Sequence, residues 1–335
     1  MTASASRRRF GRLGIVLLAS LVSLGTIEVA LRVVGFEFHL YPAVEFGYPD
    51  PQQMENYFQE HDEFLWVKKD YDERLEWART NPPHLVLMGC SCTDWGRYDL
   101  EIRRRWNETP DSPPLRLANF GCSGWSSYQG LQQMKRDVVP LAPKVVTIFY
   151  GWNDHWIGFG VEDKNVAKLA GSSGNPLQCL RIAQLVSKAR VGLQAEKGRE
   201  SGAGARPKRV ELADFRSNLE EMVDLALAND ITPVLMTAPT THRRGEEPEH
   251  LAERWLENLE DLVPLHRAYA KTVREIAAAK GVVLCDLMAS VDAMPRHETA
   301  KLFKQDGIHY TPEGGKAIGQ LVYACLEDND LLPKR

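Results

Sequence analysis

From Pro82 onward, short apolar runs alternate with amphipathic stretches, and this alternation narrows the possible folds more than any other feature of the chain. The runs His84–Met88, Leu115–Asn119, Val145–Tyr150, Pro233–Thr237 and Val282–Cys285 are bounded by Pro or Gly and read as strands buried on both faces. Between them Phe215, Leu219, Met222, Val223 and Ala226 recur at the spacing of one helix face, as do Tyr269, Val273, Ile276 and Ala277. Gly281 stops the second of these helices in the manner of a C′ glycine. A last face, Ile318, Leu321, Val322 and Cys325, is entered through Thr311 as N-cap and Pro312 at the first helical position. Strands alternating with helices imply a parallel sheet covered on both sides. The expected fold is therefore a three-layer α/β/α sandwich with a central five-stranded parallel sheet over residues 82–335. It is interrupted by an insertion at 156–208, whose Gly171-Ser172-Ser173-Gly174 and Gly198 to Gly204 segments read as loops.

The N-terminus has a different character. Arg7, Arg8, Arg9 and Arg12 precede an apolar run from Leu13 to Ile27, and Glu28, Val29, Ala30 and Leu31 follow. About 20 apolar residues cross a bilayer, a length reached here only with Glu28 near the far interface. Basic residues before such a run place the N-terminus in the cytoplasm. A cleaved signal peptide is the alternative, but no small-x-small site ends the run, and an uncleaved anchor is expected. Ser6-Arg7-Arg8-Arg9-Phe10 also resembles a twin-arginine export signal. The expected organisation is a cytoplasmic basic segment (1–12), a signal anchor or transmembrane helix (13–31), an aromatic-rich stalk packing partly on the main domain (32–81) and the domain itself. Export would place that domain outside the cytoplasm, periplasmic or extracellular, where disulfides persist.

In open α/β sheets, sites form beyond the carboxyl ends of the strands. There this sequence collects small and polar residues: Gly89-Cys90-Ser91-Cys92-Thr93-Asp94, Asn119-Phe120-Gly121-Cys122-Ser123-Gly124, Gly151-Trp152-Asn153-Asp154, and Asp306-Gly307-Ile308-His309 before the last helix. Other chemistries find no footing. Lys and Arg number 41 against 45 Asp and Glu, so a basic footprint for nucleic acid is missing. No CxxC, HExxH, P-loop or GxGxxG motif occurs, and neither a metal nor a nucleotide cofactor is read.

In order and content, these four segments resemble the sequence blocks of the SGNH (GDSL-like) hydrolase superfamily, over roughly Pro82 to Leu326. The resemblance implies a flavodoxin-like strand order and an esterase site. Ser91 would be the nucleophile, His309 the base and Asp306 the carboxylate that orients it. Ser91 and Gly124 N–H and the Asn153 amide would form the oxyanion hole. The residue types suit that chemistry. Serine needs a base to take its proton, histidine is tuned for this near neutral pH, and a carboxylate on the other ring nitrogen fixes the tautomer. One departure is plain: the family's usual Gly-Asp-Ser is Gly89-Cys90-Ser91 here, which puts loop bracing in doubt more than the nucleophile.

Several further readings follow. His155, beside Asn153, is the rival base; Asp154 reads as structural; His242 either lines the pocket or sits on a surface loop. Trp95, Trp125, Trp152 and Trp156 would make either a platform for a sugar or acyl chain or part of the core. Cys122 is expected to pair with Cys90 or Cys92, bracing the nucleophile loop in place of the missing aspartate, against a reading of three small buried thiols. The leading function is hydrolysis of an acylated glycan or lipid ester at the cell envelope through a seryl-acyl intermediate. O-acyl transfer to an envelope polysaccharide and an inactive glycan-binding module are the alternatives.

Overall fold

The computed structural model describes residues 3–37, 51–108, 113–157, 162–170, 179–186, 188–189, 207–251, 256 and 258–334. The first element is helix α1 (Ala3–Val33). Its Gly14–Val33 stretch is 20 residues long and, by length and composition alone, apolar enough to cross a membrane. Helix α2 (Pro51–Tyr57) leads into an antiparallel hairpin of β1 (Phe58–His61) and β2 (Leu65–Lys68), followed by α3 (Tyr71–Thr80).

The sheet follows. Its strands are β3 (Leu85–Gly89), β4 (Leu117–Asn119), β5 (Val145–Phe149), β6 (Thr232–Met236) and β7 (Val283–Cys285). Each apolar run forms its expected strand. All pairings are parallel, in the order β4-β3-β5-β6-β7, the flavodoxin-like order. Between and after the strands come α4 (Ser91–Asp94), α5 (Tyr98–Asn107), α6 (Ser127–Gln133), α7 (Asp163–Ala170), α8 (Leu212–Leu227), α9 (Leu262–Lys280), α10 (Leu287–Asp292), α11 (Arg296–Leu302) and α12 (Pro312–Asp328).

Alternation along the strands divides the core into two layers. Val86, Met88, Val146, Ile148 and Leu235 face Phe215, Leu219 and Met222 of α8 and Tyr269 and Val273 of α9. Leu85, Leu87, Val145, Phe149, Val234 and Met236 face Ile102 and Trp106 of α5 and Ile318 and Val322 of α12. The caps form where the residue types demand them: Thr311 Oγ1 accepts the Gly314 N–H at 3.0 Å, and Gly281 ends α9 at φ 64°.

Two expectations need correction. Residues 58–80 are no stalk. Phe58, Phe64, Leu65, Trp66, Val67, Tyr71, Leu75 and Ala78 are buried in the same layer as Val86 and Ile148. At roughly 1.5–3 kcal/mol per buried large apolar side chain, the segment belongs to the domain. The remaining stalk aromatics Phe38, Tyr41, Phe46 and Tyr48, and the insertion's 171–174 and 198–204 loops, lie outside the described residues.

The cysteine pairing also differs. Cys285 at the end of β7 is bonded to Cys325 on α12, with Cα atoms 5.8 Å apart, whereas Cys90, Cys92 and Cys122 are free and buried. The sheet explains why Cys122 finds no partner: it packs in the Trp66 layer, while Cys90 and Cys92 pack in the opposite one. Peptide mapping of unfolded, unreduced protein should recover a linked Cys285–Cys325 pair and an alkylatable Cys122. The bridge closes a separation of 40 residues, so Cys325→Ser should lower unfolding stability by about 3–4 kcal/mol on loop-closure grounds. A denaturant midpoint unchanged by Cys325→Ser would contradict the bridge.

Candidate active site

The carboxyl ends of β3, β4 and β5 open onto one cleft of about 300 Å³. Its walls include Ser91, Gly124, Asn153, Asp306 and His309. All the site residues expected from the sequence therefore meet, although Ser91 and His309 lie 218 positions apart.

Ser91 is the first residue of α4, directly after β3. Its Oγ lies 2.8 Å from His309 Nε2, and His309 Nδ1 lies 2.7 Å from Asp306 Oδ2. A carboxylate accepts only, so Nδ1 carries the proton and Nε2 is left to accept from the serine hydroxyl. Asp306 Oδ1 also accepts the N–H groups of Ile308 and His309, each at 2.9 Å. Burial alone would raise its pKa. The His309 ring and the two backbone N–H groups outweigh that and hold it at about 2. Gly307, at φ 67°, makes the intervening turn possible, and its carbonyl accepts from Thr240 Oγ1 at 3.1 Å.

Opposite the serine stand the candidate donors. Asn153 Nδ2 gives one N–H to the Trp125 carbonyl at 2.9 Å, which fixes the amide and leaves its second N–H to the cleft it lines. Gly124 sits at φ 82°, a conformation that favours glycine. Among the described residues, neither the Ser91 nor the Gly124 N–H has a protein acceptor. The Ser91 and Gly124 N–H groups and the second Asn153 amide N–H thus belong to cleft-lining residues and have no protein acceptor among the described residues. Asp154 accepts from the Ser127 and Gly151 N–H groups at 2.7 and 2.9 Å, and burial raises its pKa to about 6.

The other sequence candidates separate cleanly. His155 is fully buried and hydrogen-bonds His266 at 3.0 Å, and burial keeps its pKa well below the ordinary value. It cannot serve as base to Ser91. His242 is neither cleft-lining nor on the surface: it is buried, with Nε2 2.7 Å from the Asp306 carbonyl oxygen. Trp95, Trp152 and Trp156 line the cleft, whereas Trp125 is buried in the core against Phe64.

Two braces around the site lie outside the sequence expectations. Asp94 lies one helical turn after Ser91. It accepts the Ser123 N–H at 3.2 Å and hydroxyl at 2.7 Å, and pairs with Lys68 at 2.7 Å. Arg209 and Asp163 form a fully buried ion pair at 2.8 Å; Arg209 Nη1 donates to the Gly124 carbonyl at 2.7 Å, and Asp163 accepts from Ser126 Oγ at 2.7 Å. The spacing of Asp94 from Ser91 could have suggested the first brace; the second joins residues 46 positions apart and leaves no local trace.

The sequence matches the GDSL-like Lipase/Acylhydrolase family over residues 87–317. The chain belongs to that family. No curated protein matches it. Among solved structures it is similar to a lipase/acylhydrolase from Enterococcus faecalis, at 18% identity and TM-score 0.49, covering 76% of this chain and 98% of that one. It is also similar to a GDSL-like lipase from Bacteroides thetaiotaomicron, at 18% identity and TM-score 0.48 over 78% and 97% of the two chains. A third likeness is to an acetylxylan esterase from Geobacillus stearothermophilus, at 15% identity and TM-score 0.47 over 72% and 93%.

The Asp306 environment yields a sign-specific test. Its pKa is depressed from 3.8 to about 2, so its stabilising contribution is present above 3.8 and is lost as pH falls through about 2. The gap in melting temperature between the wild type and Asp306→Asn should therefore narrow as pH is lowered through that window. A gap that stays constant across it would show that the carboxylate's charge contributes nothing to folding.

Proposed function

We propose that this acylhydrolase is a serine ester hydrolase in which Ser91, His309 and Asp306 act as a triad. The hydrogen-bonded chain from Ser91 Oγ through His309 to Asp306 carries the reading. Ser91 Oγ attacks the ester carbonyl carbon as its proton passes to His309 Nε2. The carbonyl oxygen becomes an oxyanion and is received by the Ser91 and Gly124 N–H groups and the Asn153 amide. Collapse breaks the bond to the alcohol, which leaves with the proton from His309, and Ser91 keeps the acyl group. Water, deprotonated by the same imidazole, then attacks the acyl-serine and regenerates the hydroxyl. Asp306 stays ionised throughout and stabilises the imidazolium. Preorganised donors of this kind are each worth about 10²–10³ in rate.

The cleft narrows the substrate. At about 300 Å³ it is at the small end of ligand sites, and it is walled by Trp95, Trp152, Trp156 and Phe58. A short acyl group with one sugar ring against the half-exposed Trp95 fits this description, so an acylated glycan is the substrate class we favour. We further propose that α1 anchors the chain in a membrane with residues 1–12 in the cytoplasm and the catalytic domain outside it, at the cell envelope. The arginines preceding the apolar stretch support that orientation.

Ser91→Ala and His309→Ala should each lower turnover of short-chain acyl esters by about 10⁴–10⁶ while the protein stays folded. A fluorophosphonate probe should label the wild type and not Ser91→Ala. Undiminished activity in purified Ser91→Ala, free of contaminating esterase, would overturn the assignment. Capture of the acyl group by a sugar acceptor in preference to water would replace hydrolysis by transfer. Topology is tested separately: a periplasm-dependent reporter fused after Arg335 should be active, and an active cytoplasm-dependent reporter there would refute the orientation.

A further inference from the structure

The Gly124 N–H belongs to the peptide unit that joins Ser123 to Gly124. In a trans peptide the carbonyl and the N–H point in opposite directions. Whatever holds the Ser123 carbonyl on one side therefore aims the Gly124 N–H on the other. That carbonyl accepts the indole N–H of Trp66 at 3.0 Å. Trp66 is fully buried in β2, and its own backbone carbonyl accepts the Trp125 indole N–H at 2.9 Å, so the two tryptophans lock the hairpin to the loop reciprocally. The neighbouring peptide units are held as well. Asp94, itself paired with Lys68 of β2, takes the Ser123 N–H, and Arg209 holds the Gly124 carbonyl while its guanidinium lies 5.8 Å from the Trp66 ring centroid.

We infer that Trp66 is a positioning residue for the oxyanion hole. Its indole N–H sets the plane of the Ser123–Gly124 peptide and so directs the Gly124 N–H into the cleft. A donor on the carbonyl of a peptide also polarises that peptide and strengthens its N–H as a donor, since chains of hydrogen bonds reinforce one another. The family match begins at residue 87, so the hairpin at 58–68 lies outside the matched region while touching the site within it. The inference rests on the esterase reading and deepens it.

The test removes the indole N–H in the full chain. Trp66→Phe is the first variant. Replacement of Trp66 by β-(3-benzothienyl)alanine is the second; it keeps the bicyclic shape and puts sulfur where the N–H was, which guards against a folding failure of the first. The readouts are kcat and KM on a short-chain ester and the inhibition constant of a boronic acid, whose tetrahedral adduct places an oxygen in the hole. We expect kcat to fall about 10-fold, a fraction of what losing a whole donor costs. KM should stay within about two-fold, and the boronate should weaken in step with kcat, because only the tetrahedral species uses the hole. A purely structural role would lower the melting temperature without that split. Unchanged kcat and boronate affinity in a folded variant overturn the inference, as does a fall in kcat with boronate affinity intact. Wild-type protein that neither hydrolyses esters nor takes up a fluorophosphonate would mean that the esterase reading itself has failed, and the inference falls with it.

Discussion

Hydrogen-bonded register in the parallel sheet is the constraint on which the rest of the structure depends. The proposed nucleophile, base and three donors would be useful only within about 3 Å of the atoms they serve, and no local stretch of this chain holds them all. β3 lies between β4 and β5, with Leu87 opposite Asn119 and Gly89 opposite Phe149. Ser91 and Gly151 each follow two residues beyond a paired position, so Ser91 and the Asn153 turn leave the sheet at one level. A slip in that register would move the apolar residues to the wrong layer as well as the loops out of place. The core therefore enforces the alignment of the site. The last partner arrives differently: His309 comes from the turn before α12, and that helix is packed on α5 and bonded through Cys325 to the end of β7.

The loops that leave the sheet are held by buried charge. Asp94, Asp154 and Asp163 each take donors from the 123–127 stretch, through Ser123, Ser127 and Ser126 respectively. Burying carboxylates is costly, and Asp154 shows the cost directly. Its pKa is raised by desolvation to about 6, so the stability it contributes is fullest below its ordinary 3.8 and diminishes as pH rises through about 6. Such groups are weak sources of net stability. Their value here is geometric, because a carboxylate held by two donors, as Asp154 is by the Ser127 and Gly151 N–H groups, admits few alternative loop shapes.

The strands and the face-forming helices were legible because each is a local periodicity: Phe215, Leu219 and Met222 declare a helix face without reference to anything else. Three of the four site segments were legible for a related reason, since each follows closely on its strand, while the fourth, Asp306 to His309, was marked by the cap of the helix it precedes. What escaped depends on distance along the chain. Trp66 meets Ser123 across 57 residues and Arg209 meets Gly124 across 85, and no local spacing encodes either contact. The aromatic content of 58–80 was visible, but a stalk and a core-packed hairpin share that composition; only the burial of Phe64 and Trp66 separates them. The cysteine expectation failed on one point of geometry. Adjacent strand ends bring Cys122 near Cys90 and Cys92 in projection, while the sheet stands between their side chains.

The cysteine at position 90 takes its meaning from this bracing. A thiol is a weak hydrogen-bond partner and cannot do for neighbouring loops what an aspartate before the nucleophile would do. In this chain Cys90 is buried among apolar residues next to Cys92, and the carboxylate stands instead at Asp94, where α4 carries it round to face Ser123 and Lys68. Moving the charge four residues along changes what it holds. Asp94 grips the residue before Gly124 and couples it to the hairpin through Lys68, while Trp66 from the same strand holds the carbonyl of that residue. β2 supplies both an ammonium, to Asp94, and an indole N–H, to the Ser123 carbonyl, while Cys90 before Ser91 packs as a small buried group.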